Sequence, residues 1–459
     1  MRNDIDKREN AIIRKKILSM ILPVTMENVL QMLAGFVSMA MIGRISAIAI
    51  GSLGISTRIT QMVWALFKGI ATGASVFVAQ AYGANNHEKM RKISVQTILS
   101  SIILVCILQQ LIFWKAPYLL KIFNPRDALL QNGTIHLRTV SWGLPFLTII
   151  LIVAGILQGT GNAKTPMKIA LIMNLLNIGF SYTFIFGHFG FKPMGLKGAA
   201  LSTVLSQAIA AIIGLWVLFG RDGILSYSIG VNSLRLDRKT VTSIYKVGLP
   251  SSFESIFWQI SAIIITKAIL TYGEVAFAAY QLGLQAESIS YMPAAGFGVA
   301  ATTFIGQTLG SGQKEIGKKY LKQLVVGTTI ISIFTGGALI FFPEQIMKIL
   351  TNETEVIKIG IGYLFVMGFA QLPLNIAGVI NGALRGAGYT KVPMIVAGIG
   401  LWGIRIPFSL LMAYYFRKDI MALWIIIGID MATRLITSYL IYRKKDIYSG
   451  DLLIDEEEQ

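Results

Sequence analysis

Residues 155–167 read GILQGTGNAKTPM, and residues 382–394 read GALRGAGYTKVPM. Three glycines, a leucine, a lysine, a proline and a methionine recur at the same relative positions, 227 residues further along the chain. A motif that returns with its internal spacing intact indicates that one part of the chain is a copy of another. The sequence is therefore expected to contain two equivalent halves.

Two further blocks repeat at the same offset. Residues 22–27 (LPVTME) return as residues 249–254 (LPSSFE), and residues 77–83 (FVAQAYG) return as residues 304–310 (FIGQTLG). Agreement of three separated blocks at one offset indicates duplication of a whole folding unit. In membrane proteins, duplicated halves are typical of transporters that place a substrate path between two lobes.

The composition predicts an all-α integral membrane protein. Hydrophobic residues make up 54% of the chain and charged residues 14%, whereas roughly a quarter of residues are charged in soluble domains. Apolar runs of about twenty residues, enough for a helix to cross the hydrocarbon core, recur along nearly the whole chain. We expect about twelve transmembrane helices, near residues 17–41, 47–82, 94–114, 139–158, 166–187, 197–220, 248–270, 274–308, 323–342, 357–383, 393–416 and 420–442. The second span of each half is too long for one straight crossing, so it should tilt, bend or extend into the cytosol.

The positions of lysine and arginine predict the orientation in the cell membrane. Short cytoplasmic segments carry an excess of these residues. Both termini are therefore expected to be cytoplasmic, because the basic segments then fall inside the cell: residues 14–16, 89–92, 235–246, 314–322 and 443–445. This asymmetry accounts for the net charge of +18, and no basic patch with interleaved aromatic residues indicates a nucleic-acid partner.

An even number of spans places both ends of each half on the same side of the membrane. We therefore expect two six-helix lobes related by a pseudo-twofold axis along the membrane normal. The predicted boundaries are an N-lobe at residues 1–222, a cytosolic linker at 223–246, and a C-lobe at 247–459 that ends in a short acidic tail at 455–458.

The repeated motifs resemble those of the multidrug and toxic compound extrusion (MATE) transporters of the MOP flippase superfamily. The resemblance runs from about residue 14 to about residue 445. It is carried by the Leu-Pro pairs that open the first and seventh spans, residues 35–43 (GFVSMAMIG), the repeated Gln-x-x-Gly at Gln80 and Gln307, and the glycine loops at 157–161 and 384–388.

The resemblance implies a secondary active antiporter, and not an enzyme. Such a protein exports lipophilic, often cationic compounds in exchange for Na+ or H+, through a central cleft that opens alternately to each side. Its partners would be the lipid bilayer and small organic cations, with no cofactor beyond the coupling ion and no obligatory protein partner. Coupling is also required physically, since each positive charge moved outward costs ~2.3 kcal/mol per 100 mV.

Two alternatives remain at this stage. A flippase for lipid-linked saccharides or other amphiphiles belongs to the same superfamily, although it would usually have further spans and an arginine-rich cleft. A membrane enzyme is the more distant alternative, and it would need a cluster of histidine, cysteine or carboxylate side chains, which the sequence does not show. Residues 159–164 (GTGNAK) resemble a phosphate loop only weakly. They lack the required spacing and follow no strand. Their repetition at residues 386–391 favours a short turn between two helices.

Glu27 and Glu254 are the leading candidates for the coupling ion. Charged side chains inside a membrane are costly enough to mark functional sites. Each glutamate lies one helical turn after a proline, which removes a backbone donor and tends to bend the helix. The alternative is that each carboxylate holds neighbouring helices together through hydrogen bonds.

The family's usual cation site does not transfer intact to this sequence. Where family members often carry acids, this chain has Ser38 on the first span and Ser181 on the fifth. Asn177 matches the family's asparagine, one turn before Ser181. Ser38, Asn177 and Ser181 are therefore further coupling-ion candidates.

Polar and aromatic side chains on the same spans are candidates for a substrate cleft, although similar residues fill any membrane core. These candidates are Asn28, Gln31, Asn174, Trp258, Gln259, Glu287, Tyr291 and Met292. Asp430 and Arg434 lie one helical turn apart and are predicted to form an ion pair. The three histidines, His87, His136 and His188, fall in predicted loops far apart, so we expect neither a metal site nor a catalytic constellation.

Overall fold

The protein is described by a computed structural model of residues 2–221, 223–226, 235–448 and 452–454. The first half consists of seven helices and the second of eight, with no strand in the described ranges. The first seven are α1 (Arg2–Gly43), α2 (Ala47–Gly83), α3 (His87–Lys121), α4 (Asp127–Ser141), α5 (Leu144–Gly159), α6 (Lys164–Phe186) and α7 (Gly195–Phe219).

The second half is divided into more helices, which are less regular. Its elements are α8 (Arg238–Leu270), α9 (Glu274–Gly310), α10 (Lys314–Phe341), α11 (Pro343–Leu350), α12 (Thr354–Gly386), α13 (Lys391–Gly398), α14 (Ile406–Leu410) and α15 (Ile420–Lys444). Two π-helical segments, Ile399–Arg405 and Leu411–Tyr415, flank α14, so residues 391–415 run as one continuous helical span.

Length and apolar composition qualify eleven helices of the described chain as membrane spans, and the bent pair α4 and α5 brings the number to as many as twelve. The prediction of about twelve spans is therefore confirmed. The fourth span is broken by a bend of 50° between α4 and α5, whereas its copy, α12, is one helix of 33 residues. The long second span, α2, is one helix of 37 residues, about 55 Å at 1.5 Å per residue.

Helix ends reproduce the offset found in the sequence. The ends of α2 and α5, at Gly83 and Gly159, recur at the ends of α9 and α12, Gly310 and Gly386. Equivalent residues therefore end equivalent helices in both halves, as duplication of a folding unit requires.

The glycine-rich loops are helix–helix turns in both halves. Gly161 has a φ of 86° and Gly388 a φ of 89°, the left-handed conformation that glycine adopts without strain. The backbone N–H groups of Asn162 and Tyr389 donate to carbonyls five residues earlier, each at 2.9 Å. This pattern closes the preceding helix and confirms the turn interpretation over a phosphate loop.

Glycines also allow the helices within each half to cross closely. A Cβ atom built at Gly155 would lie 2.5 Å from the carbonyl oxygen of Ala71, and one at Gly386 would lie 2.5 Å from that of Thr302. Small residues at such crossings let helix backbones approach, which is the usual packing mode in membranes.

Packing divides the chain into two compact units whose borders fall inside helices. Unit 1 comprises residues 1–25, 79–85 and 253–459, and unit 2 comprises residues 26–78 and 86–252. Helix α1 changes unit between Thr25 and Met26, and α8 changes unit between Ser252 and Phe253. These borders describe packing, whereas the predicted boundaries at 222 and 247 describe the repeat, so the positions of these boundaries stay a prediction.

The start of α8 reaches into the range predicted as linker, because α8 begins at Arg238. The residues just before it are fixed to α3 within unit 2. The Gln96 amide donates to the carbonyl of Arg235 at 2.7 Å, and the Lys92 ammonium pairs with Asp237 at 2.5 Å. Residues 227–234, including Ser233, and the acidic tail lie outside the described residues.

Candidate functional site

Glu27 lies on α1, one turn after Pro23, at the start of unit 2. Its side chain is half-buried, and its Oε2 atom is buried without a hydrogen-bond partner among the described residues. Lys68 of α2 is close enough for its charge to act on the carboxylate. A carboxyl oxygen with a free acceptor position can accept a proton or a cationic ligand, and the charge of Lys68 opposes the binding of either.

Glu254 occupies the equivalent position on α8 but has a different partner. The Arg385 guanidinium of α12 donates to both oxygens of Glu254, each at 2.7 Å, and both side chains are largely shielded from solvent. The position equivalent to Arg385 in the first half is Gln158. Glu254 is therefore neutralised by a guanidinium that the first half does not supply to Glu27.

Ser38 and Asn177, both predicted as coupling-ion candidates, are in contact in unit 2. The Ser38 hydroxyl donates to Asn177 Oδ1 at 3.3 Å. The amide of Asn177 in turn donates to the hydroxyls of Thr203 and Ser206 on α7, at 3.3 and 3.4 Å. The result is a neutral network that joins α1, α6 and α7, and its α7 members were not anticipated from the sequence.

Ser181 and Asn174 stay outside this network. Ser181 is buried on α6 and makes no hydrogen bond with Ser38 or Asn177 in the described structure. Asn174 is buried with its amide nitrogen unpaired. Glu27 is also remote, because eleven residues along α1 separate it from Ser38, about 16 Å of helix. The four coupling-ion candidates of unit 2, Glu27, Ser38, Asn177 and Ser181, therefore do not form one site.

Glu287 forms a second buried polar centre within unit 1. It lies on α9, and two buried residues of α12 bind it: the Tyr363 hydroxyl donates to Oε2 at 2.5 Å and the Gln371 amide to Oε1 at 3.0 Å. Tyr280 and Trp424 pack around Tyr363 with ring centroids 5.7 and 4.9 Å away, which fixes the tyrosine in place. Both oxygens of Glu287 are thus engaged by neutral donors.

The predicted ion pair of Asp430 and Arg434 is confirmed, and a third residue joins it. Arg434 donates to both oxygens of Asp430, at 2.6 and 2.7 Å, and Arg405 donates to Oδ2 at 2.7 Å. All three side chains are buried. With two guanidiniums and one carboxylate, this cluster carries an excess of positive charge, and one Arg405 nitrogen, Nη2, is buried without a partner among the described residues.

Trp258 covers the same cluster. The guanidinium of Arg434 lies 4.2 Å from the ring centroid, and that of Arg405 lies 4.9 Å away. Cations favour the face of an indole ring, so this ring already interacts with two of them. A cationic drug at Trp258 would meet like charges, which weakens Trp258 as a contact for such a drug.

The remaining cleft candidates have neither an ion pair nor a hydrogen bond with another candidate in the described structure. On α1, Asn28 is half-buried and Gln31 exposed; on α8, Gln259 is half-buried. On α9, Tyr291 is exposed and Met292 half-buried, one turn after Glu287.

The prediction that all three histidines lie in loops was wrong for two of them, since His87 is the first residue of α3. His136 lies inside α4 and is buried, with its Nδ1 atom 2.9 Å from the Ser56 hydroxyl. His136 is buried because the face of α4 that carries it packs against Ser56 of α2, a contact that the neighbouring residues in the sequence do not indicate. No cluster of three or more metal-binding side chains occurs in the described ranges.

Comparison with known proteins agrees with the internal repeat. The MatE family profile matches residues 23–183 and again residues 250–411. A protein of Thermotoga maritima named probable multidrug resistance protein NorM is 31% identical, over 92% of this chain and 91% of its own. One of Bacillus subtilis named probable multidrug resistance protein YoeA is 25% identical, over 93% of this chain and 94% of its own.

Solved structures of similar fold extend over nearly the whole chain. One, described as the outward-facing conformation of a multidrug resistance MATE family transporter of the MOP superfamily, has a TM-score of 0.87, 19% identity and 97% coverage of both chains. A MOP superfamily transporter of Pyrococcus furiosus has a TM-score of 0.86 with the same identity and coverage. The two-lobed, all-helical membrane fold is therefore established. Because the MatE profile matches both halves and the Thermotoga protein is 31% identical over 92% of this chain, the chain belongs to the MatE family, the multidrug and toxic compound extrusion transporters.

Proposed function

We propose that the protein is a multidrug efflux antiporter of the cell membrane, exporting lipophilic, often cationic compounds in exchange for protons. The names of the Thermotoga and Bacillus relatives support the multidrug part of this proposal. The coupling to an ion follows from the cost of exporting positive charge against an inside-negative potential.

The observation that carries the proposal is the difference between Glu27 and Glu254. Both follow a proline by one turn at equivalent positions, but Glu254 is held by two charge-assisted hydrogen bonds from Arg385. Glu27 keeps a buried oxygen without a partner in the described structure. Glu27 is therefore the carboxylate that can exchange ligands, while Glu254 stabilises the contact between α8 and α12.

A proton suits Glu27 better than a sodium ion. Hard cations bind through several oxygen ligands at once, and among the described residues neither Asn28 nor Gln31 makes a hydrogen bond that would aim its amide oxygen at Glu27. A proton needs only one carboxylate oxygen with a free acceptor position. Protonation neutralises Glu27, and loss of the proton leaves a negative charge for a cationic substrate, so proton and substrate exclude each other.

Coupling also requires that the two ligands favour different states, because a ligand of equal affinity for both shifts nothing. Glu27 lies two residues after the point where α1 changes packing unit. A change in the path of α1 at Pro23 would alter the surroundings of Glu27, which gives each ligand a preferred state.

The proposal is tested by ethidium efflux from proteoliposomes, driven separately by a pH gradient and by a Na+ gradient. We expect the pH gradient alone to suffice, and Glu27→Gln to abolish this transport while Glu27→Asp retains part of it. Glu254→Gln should lose activity together with stability, and Glu254→Gln combined with Arg385→Gln should recover both in part, since the pair is removed as a unit.

Glu355→Gln serves as the matched control, because Glu355 is an exposed carboxylate in the first turn of α12. It should transport like the wild type. Transport driven only by Na+, or full pH-driven efflux in Glu27→Gln, would contradict the proposal.

A further inference from the structure

An open groove runs along the side of unit 2, between α3 and the start of α8. Its volume is about 570 Å³, within the range of small-molecule sites. Most of its lining is apolar, including Ile103 and Ile107 of α3 and Leu249 of α8. Lys246 and Tyr245 of α8 border it.

Unit 1 contains a second groove at equivalent positions of the repeat. This groove, of about 470 Å³, lies along the start of α1 and is lined by Asn10, Ala11, Arg14, Lys15 and Leu18. In the repeat, Arg14, Lys15 and Leu18 are equivalent to Val241, Thr242 and Tyr245, which lie 227 residues later. All three of these later residues line the first groove. The two grooves therefore lie at equivalent positions of the repeat, although their lysines do not, since Lys15 is equivalent to Thr242 and Lys246 to Ser19.

The surroundings of both grooves identify the class of occupant. Helices α1, α3 and α8 have the length and apolar composition of membrane spans. Ile103 and Ile107 of α3 are exposed by 49% and 61%, as expected of apolar side chains that contact lipid. The part of an occupant that lies against these apolar side chains must itself be apolar.

The positively charged lysines at the edges of both grooves favour an occupant that carries a negatively charged group. Lys246 and Lys15 have no carboxylate within ion-pair distance in the described structure, and both are exposed. The acid nearest in sequence to the start of α8, Asp237, is already paired with Lys92. A lysine at the edge of an apolar, membrane-facing groove matches an anionic headgroup attached to an acyl chain.

We propose that the two grooves are a duplicated pair of binding sites for anionic phospholipids. In unit 2, an acyl chain lies against Ile103 and Ile107, and the lipid phosphate binds Lys246. In unit 1, an acyl chain lies along Leu18, and the phosphate binds Lys15, with Arg14 beside it. The sites do not depend on the transport activity proposed above.

Native mass spectrometry of the full chain in detergent tests this proposal. The probes are phosphatidylglycerol and phosphatidylcholine with identical acyl chains, so that only the headgroup differs. We expect two tightly bound phosphatidylglycerol molecules per chain. Lys246→Gln and Lys15→Gln should each weaken one of them about fivefold, and the double variant should bind both lipids alike.

Lys164→Gln is the matched control, since Lys164 is an exposed lysine at the start of α6 and lines neither groove. It should keep both lipids. Ile107→Trp, which fills the unit 2 groove without changing charge, should displace one lipid of either class. Addition of inorganic phosphate distinguishes a chain-anchored lipid, which stays bound, from a headgroup-only contact, which is displaced.

Three results would overturn the proposal: equal binding of the two lipids by the wild type, unchanged binding in both lysine variants, or displacement of phosphatidylglycerol by free phosphate. Because Ile107→Trp leaves every charge in place, full retention of lipid in that variant would equally refute the unit 2 groove.

Discussion

At the scale of single residues, two side chains at equivalent positions of the repeat differ in role because their hydrogen-bond partners differ. The sequence predicted Glu27 and Glu254 as a matched pair, because their positions in the repeat are the same. The structure separates them through one substitution between the halves, Gln158 against Arg385. A residue 131 positions away in sequence neutralises Glu254, and the repeat pattern alone does not reveal such a contact.

The buried cluster of Asp430, Arg405 and Arg434 gives a prediction that depends on its unequal charge. Asp430→Asn leaves two buried guanidiniums without a counterion, and we expect a loss of about 3–5 kcal/mol. Arg405→Gln removes the excess charge and keeps the bonded pair of Asp430 and Arg434, so its loss should be smaller. Thermal unfolding of both variants in detergent measures the difference. Equal losses would show that the charge balance of the cluster is unimportant.

At the scale of helices, the repeated Gln-x-x-Gly motifs meet each other within unit 1. A Cβ atom at Gly83 would overlap the carbonyl oxygen of Gln307, and one at Gly310 would overlap that of Gln80. The Gln80 amide also bridges two chain segments, donating to the Gly386 carbonyl and accepting from the Leu453 N–H, each at 3.0 Å. The ends of α2 and α9 therefore cross with almost no room for side chains.

Because of this crossing, we expect replacement of glycine by alanine to change the stability of the protein differently at two positions of α2. Gly83→Ala should destabilise the protein by about 1–3 kcal/mol, because the added methyl group forces two backbones apart. Gly54→Ala is the control, since nothing lies within 4 Å of a Cβ atom there. Alanine at that position should leave stability unchanged or raise it by up to about 1 kcal/mol. Thermal unfolding of the two variants compares them directly, and a neutral Gly83→Ala would contradict the close crossing.

The start of α8 carries a prediction about pH. The Lys92 ammonium and the Thr240 hydroxyl, both bonded to Asp237, lower the pKa of that carboxyl from 3.8 to about 2. A lowered pKa in the folded state adds stability above pH 3.8 that is lost as the pH falls towards 2. Asp237→Asn should therefore unfold at a lower temperature than the wild type at pH 7, by a small margin because the pair is exposed. The difference in unfolding temperature between the variant and the wild type should disappear between pH 4 and pH 2. A difference that stays constant over this range would show that the ion pair is not its cause.

At the scale of the whole molecule, the sequence predicted the repeat, the number of spans and the family, because these depend on periodic patterns that survive duplication. The candidate sites were predicted less completely. Ser38 and Asn177 do meet, but Thr203 and Ser206, which complete their network, are ordinary hydroxyl residues with no distinguishing spacing. Tyr363, Gln371 and Arg405 likewise become recognisable only when packing brings them to a buried carboxylate.

The orientation in the membrane stays a prediction that labelling can test. In a Cys106→Ser background, single cysteines at Asn86 and Gln313 should react with a membrane-impermeant reagent only from the cytosol. Cysteines at Asn132 and Thr354 should react only from outside. A cysteine at Ser233, in the predicted linker, should also react from the cytosol. External labelling there would contradict a pair of halves that share one orientation.

The central claim, that a proton and a cationic substrate exclude each other at Glu27, is tested most directly by counting protons released when substrate binds. Ethidium is added to purified protein in weakly buffered detergent solution at a series of starting pH values, and each pH change is calibrated against added acid. We expect release to approach one proton per ethidium bound as the starting pH is lowered, for the wild type and for Glu355→Gln, and no release at any starting pH for Glu27→Gln. Binding of ethidium without proton release by the wild type, or equal release by Glu27→Gln, would contradict it.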